Sequence, residues 1–399
     1  MTSNVQKDVT AKTPRTPRPA KGLLARLGAL ASWRLVFMVV VAFCGPAVAQ
    51  ERPDDPGAGG PGWGVEITPK ADKAIRAGLS YLAKHQHPDG YWIEAVGRKV
   101  NEEYQGTPGK HVGVTALAGM AFLANGSTPG RGPYGDNVER AVVWLLDQVK
   151  PDDGFITAES SRMYEHSFAT LFLAEVYGMT GDTRVRAKLQ AAVDCIVQAQ
   201  NTQGGWRYLP GSKDSDMSIT VTCVMALRGA RNVGIYVPRE TIMRAIDYVK
   251  LSFIGDYPNP EMVGGYWYQI FDQPFRHSRT SFALTAAGVT ALYGAGEYDS
   301  KEVRAGLRFL FQRQRWRPPA YRMHQSFDYF YGHYYAIQAF YQAGGEYWAR
   351  WYPDIRDEIV NGQNMPGGYW EDLVGRNYAT AMATIILQIP YRYLPIFER

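Results

Sequence analysis

Cysteine is scarce in this chain. Its 399 residues include three, and Cys44 falls in an N-terminal leader, so a processed chain keeps only Cys195 and Cys223. Two cysteines exclude a disulfide framework and a cysteine-built zinc site. They leave open a single bridge between adjacent elements or two buried free thiols. Histidine is also sparse, at seven, and no H-x-H or H-E-x-x-H spacing marks a metal site, so neither a metal nor a cofactor is expected. Positive charge is missing from the body of the chain. The formal charge of +5 arises in the first 49 residues, with seven Lys or Arg and one acid, and the remainder lies near −1. Phosphate binding needs a concentrated basic face, so nucleic acid is excluded as a partner.

A long apolar run occurs only in the leader. Residues 1–34 are basic, and "LVFMVVVAFCGPAVA" follows, ending in small residues at Ala47-Val48-Ala49. This is the pattern of a cleaved signal peptide over 1–49, which predicts export to the periplasm, cell envelope or medium. An uncleaved anchor is the alternative, because the run is just short of a bilayer span. Membrane contact is expected through this segment alone. Residues 50–69 form a Pro/Gly-rich linker without hydrophobic periodicity.

What the chain does have is helical repetition and aromatic rings. From residue 70, "IRAGLSYLAKHQ" (75–86) returns almost unchanged as "VRAGLRFLFQRQ" (303–314). Looser copies occupy 139–149 and 243–253, and divergent ones 188–200 and 353–363, all with amphipathic spacing. Between them lie more apolar segments rich in small residues: 111–124, 166–178, 217–230, 280–294, 331–344 and 378–389. Helices with so little polar surface are buried on most sides. Six amphipathic and six buried helices in alternation predict an all-α (α/α)6 toroid over 70–399, built from six helical hairpin repeats, with the buried set as the inner barrel.

Several junctions carry a further pattern. Arg76, Ala77, Tyr81, Leu82, Gln86, Gly90 and Trp92 spell a basic residue, a small residue, an aromatic-aliphatic pair and then Q-x3-G-x-W. Gln200, Gly204 and Trp206 repeat its second half, and Gln363, Gly368 and Trp370 do so with one extra residue. The chain thereby resembles the prenyltransferase and squalene-cyclase repeat superfamily, the terpenoid cyclase-like toroids, and in particular their exported bacterial members. Physically, Gln is expected to cap the last carbonyls of an outer helix, Gly to permit the turn, and Trp to pack onto the next repeat.

The resemblance also implies where an acid would stand. Class II cyclases use D-x-D-D-T, whose middle aspartate protonates an alkene or epoxide. Asp214, Ser215, Asp216, Met217 and Ser218 occupy that place, with Asp216 at the proton donor and Met217 replacing its acidic neighbour. Asp216 or Ser218 equally fits an N-cap for the following helix. The D-D-x-x-D of class I synthases, the D-x-C zinc pattern of protein prenyltransferases and the C-G-E-Q thioester are all absent.

In a toroid, the starts of the inner helices converge on one end of the ring, where unpaired N–H groups favour anions. Asp216, Asp214, Glu165 and His166 are the candidate catalytic residues there. Candidate ligand-binding residues are His111, His277, Arg279, His333, Tyr331, Tyr334, Trp267 and Arg376. The aromatic rings suit a carbocation or a sugar face; the histidines equally suit hydrogen bonds to loop carbonyls. Three functions follow: a cyclase-like toroid holding an isoprenoid or other apolar ligand, a non-catalytic scaffold or binding protein, and a polysaccharide lyase or hydrolase. A deep apolar cavity would mark the first, a filled lumen the second, and an open cleft with two carboxylates the third.

Overall fold

The computed structural model describes residues 67–97, 106–159, 161–271, 279–314 and 328–397. Twelve α-helices occur among them. The outer set is α1 (Pro69–His85), α3 (Gly135–Asp147), α5 (Thr183–Ala199), α7 (Arg239–Leu251), α9 (Lys301–Gln314) and α11 (Gly345–Asn361). The inner set is α2 (Val112–Leu123), α4 (Met163–Thr180), α6 (Met217–Asn232), α8 (Phe282–Gly294), α10 (Tyr329–Ala343) and α12 (Arg376–Gln388). Each inner helix packs on the next, and α12 returns to α2, closing the ring. The first helix, α1, lies against the last, α12, so the chain's two ends complete one hairpin together. The expected (α/α)6 toroid is the observed fold.

The two helix classes differ as their composition requires. All of α2 is buried, as is α8 from Ala283 to Tyr293. The outer helices bury one stripe; in α1 it is Ala71, Ala74, Ile75, Gly78, Leu79 and Leu82. A hairpin that periodicity did not predict, β1 (Ile93–Val96) with β2 (Thr107–Lys110), precedes α2 in antiparallel register.

The clasps work differently from the sequence-based expectation. Trp92, Trp206 and Trp370 each donate the indole Nε1–H to the last turn of their own outer helix, at the carbonyls of Leu82, Ile196 and Ile359 (3.0, 2.7 and 2.7 Å). Trp, not Gln, is therefore the C-terminal cap. Gln reaches across instead. Gln86, Gln200 and Gln363 donate to carbonyls in the first two turns of the neighbouring outer helix, at Asn137, Thr241 and Ala74 (each 2.9 Å). Gly90, Gly204 and Gly368 have positive φ, and a Cβ there would meet the carbonyls of Arg140, Arg244 and Ala77. Gly154 and Gly264 make the same approach to Ala191 and Ala305 without a Q-G-W pattern around them. The last of the Gln links, Gln363 to Ala74, ties α11 to α1 and locks the ring shut.

Cys195 and Cys223 are buried free thiols, with Cys223 Sγ 3.3 Å from Ser167 Oγ. No helix among the described residues is long and apolar enough to cross a membrane. The signal-peptide expectation and the linker expectation up to residue 66 lie outside the described residues; Thr68 caps α1, which begins at Pro69, the last residue of the expected linker.

Candidate functional site: the tyrosine and arginine mouth

The inner helices start at one end of the ring, and their caps share a register. His111 Nδ1 accepts the Val114 amide, Asp216 Oδ1 the Ile219 amide and Ser281 Oγ the Leu284 amide, each three residues into its helix. One residue further, Thr115 and Thr220 accept the backbone N–H of Trp92 and Trp206. His166 stands in that same position of the second repeat and accepts the Ile156 amide through Nδ1 (3.0 Å). Asp216 is thus the repeat equivalent of a histidine and a serine cap.

Asp216 nevertheless does more than cap. It is wholly buried, and donors claim both its oxygens. Oδ1 accepts from Ser218 Oγ (2.6 Å) and Ile219 N (2.9 Å); Oδ2 accepts from Arg207 Nη1 (3.2 Å) and Tyr268 OH (3.3 Å). Burial raises its pKa, while the hydrogen bonds and the Arg207 charge oppose the rise. Tyr208 hydroxyl lies 2.8 Å from that of Tyr268. Because Tyr268 donates to Asp216, Tyr208 donates to Tyr268, and both protons run inward. The backbone holds these parts together: Met217 N donates to Tyr268 O and Tyr268 N to Arg279 O, each at 2.8 Å.

Guanidinium groups lie over the tyrosine rings. Arg162 and Arg207 lie 5.6 and 4.9 Å from the Tyr208 centroid; Arg207 and Arg279 lie 5.8 and 4.7 Å from that of Tyr268. The result is a ladder in the order Arg162, Tyr208, Arg207, Tyr268, Arg279. Arg207 is paired with Asp214 (3.4 Å) as well as Asp216.

Beneath this mouth, the lumen is occupied by side chains. Helices α4 and α10 face each other across the ring, yet Tyr164 meets Tyr331 at 6.1 Å and Phe168 meets Tyr334 at 5.9 Å between centroids. Tyr331 also donates to the Ser218 carbonyl of α6 (2.8 Å). At the other end, the C-terminal segment enters the ring. Ile396 is fully buried beside Gly229, and its amide donates to Glu175 Oε2 (3.4 Å).

The predicted site residues divide accordingly. Asp216, Asp214 and Arg279 come together at the mouth, with Tyr331 in its floor and Tyr334 one turn deeper in the lumen. Glu165 begins α4 and accepts the Arg162 amide (2.8 Å); burial raises its pKa against that bond and the Arg162 charge. His111 caps α2, and burial lowers its pKa to about 4. His166 is not at the mouth: its Nε2–H donates outward to Ala192 of α5 (3.1 Å), and burial brings its pKa to about 4 as well. His333 is packed among the rings of Phe282, Tyr329 and Trp351. Trp267 packs edge-on to Tyr257 and Arg376 lies over Tyr369, paired with Glu371. His277 lies outside the described residues. Sequence reasoning passed over Arg162, Tyr164, Arg207 and Tyr208, and reached Tyr268 only as one of the aromatics in the fourth repeat's long loop. Their only signal was proximity to the capped helix starts. No cluster of three metal-ligating side chains occurs among the described residues.

No family model and no curated protein sequence matches the chain. Solved structures do. The type II terpene cyclase MstE from Scytonema, in complex with merosterolic acid A, superposes with a TM-score of 0.53 at 14% identity, covering 82% of this chain and 98% of that one. The GH76A α-1,6-mannanase from Salegentibacter gives 0.59 at 6% identity, covering 81% and 99%. A glycoside hydrolase family 76 mannosidase from Bacteroides thetaiotaomicron gives 0.57 at 10% identity, covering 81% and 98%. The fold class is therefore an all-α (α/α)6 toroid, an architecture shared with the terpene cyclase and with the mannanase and mannosidase. At such identities the likeness defines the fold and not the reaction.

Proposed function

We propose that this protein is an exported, non-cyclising toroid that binds a saccharide at the mouth of its inner ring. Of the two ligand chemistries present in the similar structures, merosterolic acid A and α-1,6-mannotriose, the second fits this chain better. The observation that carries this reading is the pair of aromatic contacts spanning the lumen, Tyr164 with Tyr331 and Phe168 with Tyr334. A buried isoprenoid chain needs the volume those rings fill, and interiors packed in this way yield little room. Half-buried tyrosines at the mouth offer faces on which a sugar ring can stack. Asp216 acts as helix cap and counter-ion to Arg207. An initiating acid needs a proton free to leave toward substrate, and all four donors around Asp216 point at it instead.

The test combines titration calorimetry with neutral mannooligosaccharides and native mass spectrometry of protein exported from its own host. Saccharide binding with change of tyrosine fluorescence is the expected result. A polyprenyl lipid recovered at one per chain, or no binding by any saccharide, overturns the proposal.

A further inference from the structure

The mouth's hydrogen-bond inventory is lopsided. Its buried acceptors are already engaged: Asp216 takes four donors and Glu165 takes the Arg162 amide. The hydroxyl protons of Tyr208 and Tyr268 run inward to Asp216. Arg207 is held by two aspartates. What remains is the two ends of the ladder. Among the described residues, Arg162 and Arg279 have no carboxylate within 4.0 Å, and each guanidinium lies over a tyrosine ring. Arg162 is half-buried and Arg279 exposed. Stacking orients a guanidinium while leaving its in-plane N–H fork free, and that fork matches a carboxylate or sulfate edge. Backbone bonds from Met217 through Tyr268 to Arg279 keep Arg279 in line with the other rungs.

Resting on the saccharide reading above, we propose that the ligand is an acidic saccharide, whose carboxylate groups pair with Arg162 and Arg279 while its sugar rings lie along Tyr208 and Tyr268. A neutral sugar would leave both forks to water. A phosphate-bearing lipid headgroup or free diphosphate would satisfy them without using the rings, so the test must separate these sources.

The experiment titrates the full exported chain with three probes: an oligomannuronate, a mannooligosaccharide of equal length, and inorganic diphosphate. Two charge-assisted hydrogen-bonded pairs should favour the uronate roughly tenfold or more, with a preference that weakens as salt is raised. Arg279→Gln and Arg162→Gln should each reduce that ratio, and the double variant should bring it to about one at unchanged melting temperature. Equal binding of the two saccharides by the unmodified chain overturns the acidic-ligand inference and leaves the saccharide reading standing. Arginine-dependent binding of diphosphate with no saccharide bound retains an anion site but overturns the sugar assignment and the reading beneath it. Absence of binding by all three probes overturns both.

Discussion

Phe168 and Tyr334 meet edge-on, 5.9 Å between ring centroids at 72°, although their helices α4 and α10 stand on opposite sides of the inner ring. A toroid whose facing helices touch through side chains is a solid core rather than a channel. Here the lumen contributes to stability as any hydrophobic interior does, and the proposed ligand contact lies at the end where the helices start.

The first prediction concerns that contact. Tyr334→Ala removes a side chain that is 1% exposed and leaves Phe168 facing a void. The loss should be about 3–5 kcal/mol, as for other large aromatic truncations in cores. Urea unfolding followed by circular dichroism reads it. A loss under about 1 kcal/mol would mean that the ring is hollow at this level.

The clasp residues should rank by mechanism. Gly204→Ala forces a Cβ into the Arg244 carbonyl at a φ of 89°, so the α5–α7 junction must move apart. Gln200→Ala loses two hydrogen bonds, to Gly204 O and Thr241 O, but displaces nothing. The expected costs are above ~3 kcal/mol for the glycine and roughly 1–3 for the glutamine. A glutamine variant less stable than the glycine variant would contradict the assignment of close backbone approach to Gly204.

Asp216 can be separated into cap and charge. Asparagine keeps an acceptor for the Ile219 amide and removes one of the two carboxylates that hold Arg207; alanine removes both that carboxylate and the acceptor. Asp216→Ala should therefore cost more than Asp216→Asn, by about 1 kcal/mol for the cap alone. Thermal unfolding of the two variants measures the difference. Equal stability would show that the cap contributes nothing here.

Much of this architecture was legible before any coordinates, and the reason is physical. An inner helix is buried all round and an outer one along a stripe, so composition alone separates the classes. The Gln, Gly and Trp pattern located the junctions, yet assigned the wrong partner to Gln, because a sequence does not say in which direction a side chain extends. His166 illustrates the same limit. Its place, four residues after Arg162, matches Thr115 after His111 and Thr220 after Asp216, and that register was readable. Only the structure reveals that the position faces the outer helix. The network around Asp216 draws on Arg207 and Tyr268, nine and fifty-two residues away, and no spacing rule connects such residues.

The last prediction concerns pH. Glu175, on α4 at the closed end of the ring, is almost wholly buried, and burial pushes its pKa up to about 7. Arg228 of α6 and the Ile396 amide pull in the opposite direction, and Tyr334 is the other titratable neighbour. A carboxyl whose folded pKa exceeds its unfolded value of 4.5 contributes stability below 4.5, and loses it as pH rises through 7. Glu175→Gln keeps an acceptor for the Ile396 amide without a charge to bury. Relative to the unmodified chain, it should therefore gain stability progressively between pH 4.5 and 7 and hold the gain above that, on the order of 3 kcal/mol. His111 and His166, held neutral with pKa values near 4, act with the opposite sign. Their contribution is present above 6.5 and falls away as pH drops through 4, and it cancels when the two proteins are compared at the same pH. Guanidinium unfolding at half-unit steps from pH 4.5 to 8 gives the difference curve. A flat curve would show that the Arg228 charge fully offsets the burial of the carboxylate, and that the closed end of the ring does not respond to pH.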